Sequence, residues 1–419
     1  MRARTRLAAV CMLVAPFARA DVIVVDPGGG PGAAQLQAAL DAAHDGDILL
    51  LRAGDYSASL PPTSYGKSLV VLADAGQDVT LPGLSLDGVP GGGLAFVRGL
   101  RLQGPTGEAG LHSGSALEPG GLWVEDCEIF GADPGVYSPV GVQQGGTTAL
   151  AFSNFAYAMI ARCQLRGGPG RDAGAGPGGE PLLASPGALG CYLWKVGTVV
   201  FSEVDARGGD GGDGPFDPWS GPADGGHALE LQSCSVEIQG GFCVGGDEGS
   251  DNVTQTHPGS AFRFTYASVG LRDVVAQPGV VHGAGTAAPT IINEFSTIEN
   301  RPAPARVLAI ESPVREFGAV GVHVSGQPGD LAWLLLSSTP GGKVLSGKQG
   351  AFMLEASLPV LPVLLGPTDA TGGLDAASLL PALPVGVDGT VLFAQLVVLN
   401  GSSVLLGTSS SLVWISASY

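Results

Sequence analysis

Leu122-Trp123-Val124-Glu125-Asp126 and Ala158-Met159-Ile160-Ala161-Arg162 are two copies of one pattern, in which apolar residues alternate with others and a polar residue closes the run. The pattern returns as Val199-Val200-Phe201-Ser202-Glu203, Val236-Glu237-Ile238-Gln239-Gly240 and Val269-Gly270-Leu271-Arg272-Asp273. Weaker copies begin at Leu69 and Leu94, so successive starts are 25, 28, 36, 41, 37 and 33 residues apart. Seven residues before the last three copies a second short strand begins, at Tyr192, Leu229 and Phe262. Period-two alternation buries one face of each strand. Strands this short cannot bury that face alone, so stacked coils of a solenoid are expected. Val124, Ile160, Phe201, Ile238 and Leu271 should point inward on successive coils. A sandwich of hairpins also supplies short strands, but its connections would be two to five residues long. About eight coils are expected between Ile48 and Ile298.

The spread of spacings implies that each coil keeps its strands and lets a turn expand. Gly167 to Gly179 and Gly208 to Gly226 are the largest expansions, rich in Gly, Pro and Asp. Upstream, Val22-Ile23-Val24-Val25 is followed by a Gly-Pro loop and a helix-like segment, Ala33 to Ala43. His44-Asp45-Gly46-Asp47-Ile48-Leu49-Leu50-Leu51 and Gly54-Asp55-Tyr56 come next. Leu36, Leu40 and Ala43 fall on one helical face and suit a plug for the open end of the first coil. Gly46 ends the helix and turns the chain into the first core strand.

These residues resemble the N-terminal cap of the pectate-lyase-like superfamily, and with the coils the resemblance covers about residues 22–300. It implies an all-β protein whose body is a right-handed parallel β-helix. It implies no particular activity, because that superfamily holds lyases, hydrolases, epimerases and adhesins. Galacturonase-like hydrolases share Asn-x-Asp, Asp-Asp, His-Gly and Arg-x-Lys motifs; only His282-Gly283 occurs here. Pectate lyases carry Arg-x-Pro-x-x-Arg. Arg301-Pro302-Ala303-Pro304-Ala305-Arg306 has the arginines but not the proline spacing, and reads as a linker.

After Arg306 the composition shifts to Leu, Val and Ser. Runs at 307–310, 320–324, 331–336, 351–354, 391–399 and 411–415 predict strands of a small antiparallel β-sandwich. This part resembles accessory modules of secreted bacterial proteins. His323 is expected to be a half-buried residue of that core. The organisation expected is therefore a signal peptide (1–20), a capped β-helix (21–300), a linker (301–306) and a sandwich (307–419).

The signal is read from Arg2, Arg4 and Arg6, the apolar run Leu7 to Phe17, and Ala18-Arg19-Ala20 as the cleavage site. It implies a secreted, extracellular or cell-surface protein. Leu354 to Leu365 is interrupted by Pro359 and Pro362, so it suits a strand edge or loop, and no transmembrane segment is expected. The chain has 38 acidic and 20 basic residues; without Arg2, Arg4, Arg6 and Arg19 the balance is 16 against 38, a charge of −22. Such a surface repels phosphate, which argues against nucleic acid as a partner.

Five cysteines follow the signal, at 127, 163, 191, 234 and 243, without Cys-x-x-Cys spacing or a neighbouring histidine. No metal or cofactor motif is present. Cys127 and Cys163 close the same pattern and should be inward neighbours on consecutive coils, at a distance that permits a disulfide without requiring one. Gly208 to Gly214 resembles one nonapeptide of the repeat-in-toxin calcium type. Such sites need tandem copies, so a flexible loop is expected there; Gly245-Gly246-Asp247-Glu248 adds only further carboxylates.

In register, Asp126, Arg162, Glu203, Gly240 and Asp273 occupy one turn position on successive coils. The plain expectation is a solvated ion-pair row. If the protein is an enzyme, Asp126, Arg162 and Glu203 are the first catalytic candidates, since glycoside hydrolysis needs two carboxyls about 5–9.5 Å apart. Two functions follow: a non-catalytic extracellular protein that binds polysaccharide or forms part of the surface or matrix, or a carbohydrate-active enzyme, lyase or hydrolase, with an atypical site. Trp123 and Trp219 are the aromatics that would favour a glycan cleft.

Overall fold

A computed structural model describes residues 20–27, 32–56, 60–113, 119–134, 146–175, 181–214, 222–250, 256–282, 286–344 and 350–419. Residues 1–19, on which the signal-peptide reading rests, Gly283 and Trp219 lie outside the described residues. The described chain is mostly parallel β-strand in large sheets with one helix, Gly32–Ala42, and is compatible with a parallel β-helix.

From Ile48 onward the strands fall into three parallel columns visited in fixed order. Val124, Ile160, Phe201, Ile238 and Leu271 are register partners in the first column and belong to one apolar core, as the alternation requires. The second column aligns Leu102, Ile129, Leu165, Ala206 and Cys243 inward. The third, eight strands from Thr63–Tyr65 to Ile291–Glu294, adds Leu150, Cys191, Leu229 and Phe262. Leu36, Leu40 and Ala43 are buried against the same core, so the helix fills the end that the sequence assigned to it.

The corners between columns are single residues in the left-handed region. Asp126, Arg162, Glu203 and Asp273 have φ of 56°, 50°, 50° and 54°; Asn154, Lys195, Ser233, Tyr266 and Phe295 form a second such row at 51–60°. A side chain there costs about 1–2 kcal/mol. The corner offsets it by keeping the inter-strand ladder unbroken: Asp126 N–H donates to Ala161 O at 3.0 Å and Arg162 N–H to Ser202 O at 2.7 Å.

The described parts of the glycine-rich expansions, 167–175, 208–214 and 222–226, are not the flexible loops expected. Ala188 donates to Gly168, Gly209 to Ala188, Gly226 to Gly209, Gly246 to Gly226, Gly259 to Gly246 and Gly279 to Gly259, all at 2.7–2.9 Å. Extended segments thus pack backbone on backbone beside the columns. A Cβ at Gly209, Gly246 or Gly259 would lie 1.8–1.9 Å from a carbonyl oxygen, which explains why only glycine occurs there. Carboxylates tie the layers together: Asp210 accepts the Asp247 N–H at 2.9 Å and Asp247 accepts that of Val280 at 2.8 Å.

Beyond Arg306 the strands are antiparallel except for Val314–Arg315, which runs parallel to Ser403–Ile415. Three-stranded and five-stranded sheets share an apolar core around Leu308, Val322, Leu334, Leu396 and Trp414. Leu361–Pro367, with Pro362, is an edge strand, where a missing donor is tolerated. His323 departs from expectation. It lies on the exposed face, 2.8 Å from Asp375 and 3.6 Å from Glu311, because cross-strand pairing aligns it with Asp375.

The five-stranded sheet and the hairpin Pro340–Val344/Ala351–Leu354 cover the outer face of the first column. Ile48, Leu50, Val70, Leu72, Phe96, Trp123, Met159 and Val200 pack there against Met353, Leu354, Phe393, Val413 and Ile415. Burial of each large side chain contributes about 1.5–3 kcal/mol. The first column is therefore apolar on both faces for most of its length, whereas the alternation alone accounts for one.

Candidate functional site

The structure pairs Asp126 with Arg162, and Glu203 lines the same depression as both without pairing with either. Arg162 Nε lies 2.7 Å from Asp126 Oδ1, and Arg98 Nη2 lies 2.7 Å from Asp126 Oδ2. Both oxygens of Asp126 are engaged. The row is solvated only in part: Glu203 and Asp273 are exposed, whereas Arg162 is 17% exposed and Arg98 beside it 4%, because the C-terminal sheets close over them. Arg98 donates to Ile310 O at 2.7 Å and Ser411 O at 2.7 Å, and Arg162 to Leu308 O at 3.1 Å.

The centre of this network is Glu125, a residue the repeat places beside Trp123 on the outer face. It is fully buried. Arg98 approaches its Oε2 at 3.2 Å, Trp123 Nε1 donates to Oε2 at 3.1 Å, and Arg162, Ser410 and Ser411 also bond it. Burial pushes its carboxyl upward, but Arg98 and Arg162, with the two serines, outweigh burial and hold it at about 2. The Arg162 guanidinium is stabilised in its charged form in spite of burial, by Glu125 and Asp126. The signal that could have found Glu125 is its register: the row that begins with Leu50 and Leu72 sets Arg98 directly beside Glu125, a base and an acid adjacent on a face that starts out apolar.

Glu203 forms no ion pair among the described residues. Burial raises its carboxyl against the opposing pull of Arg162. Trp123 is fully buried with its ring 4.9 Å from Phe393, so it is unavailable to a glycan.

An exposed polar face lies instead on the outside of the second column. Arg101, Glu128, Gln164, Asp205, Phe242 and Val275 are register partners along it, and Phe130, Arg166, Arg207, Val244 and Gln277 form the adjacent row. Three depressions, of about 340, 480 and 430 Å³, share Asp126, Glu128, Gln164 and Asp205 between neighbours, so they run together as one trough. At about 4.8 Å per strand, the row from Arg101 to Val275 spans roughly 24 Å. Phe242 is 40% exposed in its floor, and Arg166 forms no ion pair among the described residues. The Arg101 guanidinium stacks 5.0 Å from the Phe130 ring centre.

All five described cysteines are free thiols and buried. Cys127 and Cys163 both enter the inner core, and the Cys163 thiol is pushed well up, first by burial and then by Cys127, so the expected neighbours do meet. No group of three His, Cys, Asp or Glu side chains among the described residues is placed to hold a metal ion. No helix of the described residues is long and apolar enough to cross a membrane.

No family model matches the chain, and no curated protein does. Among solved structures, the superoxide reductase (neelaredoxin) of Ignicoccus hospitalis is 15% identical, covering 27% of this chain and 80% of its own, with a TM-score of 0.14. ORF18 of Geobacillus virus E2 is 10% identical, covering 87% of this chain and 79% of its own, with a TM-score of 0.21. At such TM-scores neither likeness bears on fold or function.

Proposed function

We propose that the chain is an exported right-handed parallel β-helix of the pectate-lyase-like kind with a C-terminal β-sandwich, and that it binds extracellular polysaccharide as a surface or matrix component without cleaving it. The carrying observation is the trough. It sets exposed hydrogen-bonding side chains and one open aromatic ring, Phe242, in register along the second column. A polymer laid along the columns meets one outward side chain of each row at every strand, a regular spacing that suits a chain of repeating units. The sequence reading of an N-terminal signal supports export, and the acidic composition favours a neutral or cationic partner over phosphate polymers.

The enzyme reading is the weaker alternative. Asp126 is clamped by two arginines, which suits a structural ion pair better than a general acid or base. The test is a polysaccharide array scored for both binding and product release. Arg166→Ala with Phe242→Ala should weaken binding about tenfold. Unchanged binding by that double variant would remove the trough from the proposal.

A further inference from the structure

The two ends of the columns are finished differently. At the first, the helix Gly32–Ala42 buries Leu36 and Leu40 against the core. At the last, no described strand pairs beyond Ile291–Glu294, Thr297–Asn300 and Val275–Gln277, the final strands of the third, first and second columns. Phe262 and Ile238 are buried, but Ile291 and Leu271, their inward register partners one coil later, are only partly covered, as are Val274 and Ile298. Asn293, in the row of Phe264, is exposed, and Phe295 at the next corner is 83% exposed. Apolar surface and unpaired strand edges thus coincide at one end, a combination that invites a partner. The chain has a net charge of −18, yet the glutamates here are paired, Glu294 with Arg263 at 3.1 Å and Glu299 with Arg301 at 3.5 Å.

We propose that this open end is an interface between two copies of the chain, in which Ile291–Glu294 pairs antiparallel with its twin about a two-fold axis through Ile292. The helix blocks a head-to-tail stack, and what matches an open apolar end with strand edges is the same end of a second copy. The ladder sets the register. Thr290 O accepts from Phe262 N–H at 3.1 Å and Glu294 O from Tyr266 N–H at 2.9 Å, so residues 290, 292 and 294 bond back to the column. Ile291 and Asn293 therefore turn their backbone N–H and C=O to the open edge. An axis at Ile292 sets Ile291 of one copy opposite Asn293 of the other, and each such pair exchanges both bonds. An axis at Ile291 would set Asn293 against Pro289, which has no N–H to give. Charge selects this strand over its neighbour. In Thr297–Asn300 it is Ile298 and Asn300 that face the edge, so equivalent self-pairing would oppose Glu299 to itself. Here Ile292 meets Ile292 and Glu294 meets Thr290. Phe295 falls beside Pro289 of the second copy, both of them exposed, and Leu271, Val274, Ile291 and Ile298 become interior. The interface rests on the register of the columns and is independent of the trough.

Sedimentation velocity on the full chain tests it, and a dimer should be populated by about 50 μM. Ile292→Asp, on the outer face of the strand, opposes two carboxylates on the axis and should raise the dissociation constant about tenfold or more. Its far-ultraviolet circular dichroism should match wild type. Val385→Asp, on a fully exposed turn of the sandwich, should leave the dimer intact. Ile292→Cys should form an intermolecular disulfide with diamide, because opposed residues of a non-hydrogen-bonded pair lie about 4.5 Å apart between Cα atoms. The five described native thiols are buried and do not compete. The proposal is overturned if wild type stays monomeric to about 100 μM. It is equally overturned if Ile292→Asp dissociates no more readily than wild type, or if Ile292→Cys fails to cross-link where wild type is dimeric.

Discussion

Glu125 and Ser411, 286 residues apart in sequence, meet in the buried seam between the parallel and antiparallel sheets, with the Ser411 N–H donating to Glu125 Oε2 at 3.2 Å. The contact closes a network of two carboxylates and two guanidiniums, of which the sequence offered Asp126 and Arg162 as candidate chemistry. Its geometry is that of a clamp.

Removing the carboxylate should release that clamp. Glu125→Ala leaves two buried guanidiniums, Arg98 and Arg162, sharing the single carboxylate of Asp126, and breaking such a network costs about 3–5 kcal/mol. Chemical denaturation of the purified variant would measure it, and proteolysis should then cut between the two parts of the chain. A loss under about 1 kcal/mol would show that the seam is held by its apolar contacts alone.

The same residue sets an acid limit. Its folded pKa, about 2, lies below the ordinary 4.5, so its contribution is fully present above about 4.5 and is lost as pH falls toward 2. Glu203, Glu230 and Glu237 act oppositely, because burial raises them and the fold is favoured when they are protonated. Stability measured against pH in wild type and Glu125→Gln should diverge below about pH 4.5. Parallel curves would contradict the assignment.

On polygalacturonate, with or without calcium, no turnover is expected, since the hydrolase and lyase motifs are missing. Unsaturated or reducing-end products, abolished by Asp126→Asn or Glu203→Gln, would establish the enzyme reading.

The thiols should be silent in the native protein. Burial raises Cys234 to about 11 and Cys243 to about 12, and pushes Cys163 and Cys191 well up. A thiol reagent should label the five described cysteines only after denaturation, and Cys127→Ala should cost about 1 kcal/mol without altering ligand binding. Rapid native labelling at any of them would mean the core opens.

Gly209→Ala should destabilise by about 3 kcal/mol or more, because its Cβ would sit 1.9 Å from Gly168 O and the backbone there cannot yield. Gly174→Ala, with nothing within 4 Å, should be neutral. Thermal unfolding of the two compares them directly, and equal midpoints would mean that the glycine segments are loosely held.

The inner core was legible because period-two alternation is local, so Val124 and Ile160 announce their own direction. Asp126, Arg162 and Glu203 were legible as a row for the same reason. Arg98 and Glu125 were not, since what makes them important is Ile310 and Ser411, far along the chain. The glycine segments read as loops because composition reports the absence of side chains but not the carbonyl that fills the space. The corners at Lys195, Tyr266 and Phe295 carry no residue signal for a left-handed backbone.

The seam also dictates an order of assembly. The columns from Ile48 to Val200 expose a continuous apolar outer face until the strand Ser403–Ile415 arrives to cover it. A chain emerging from a ribosome or a translocon would carry that sticky surface, with an ionised Glu125 still seeking its serines, through most of its synthesis. Folding should therefore be late and rate-limited by a contact of very long sequence separation, and a holdase that shields the first column would have its greatest effect before that strand docks.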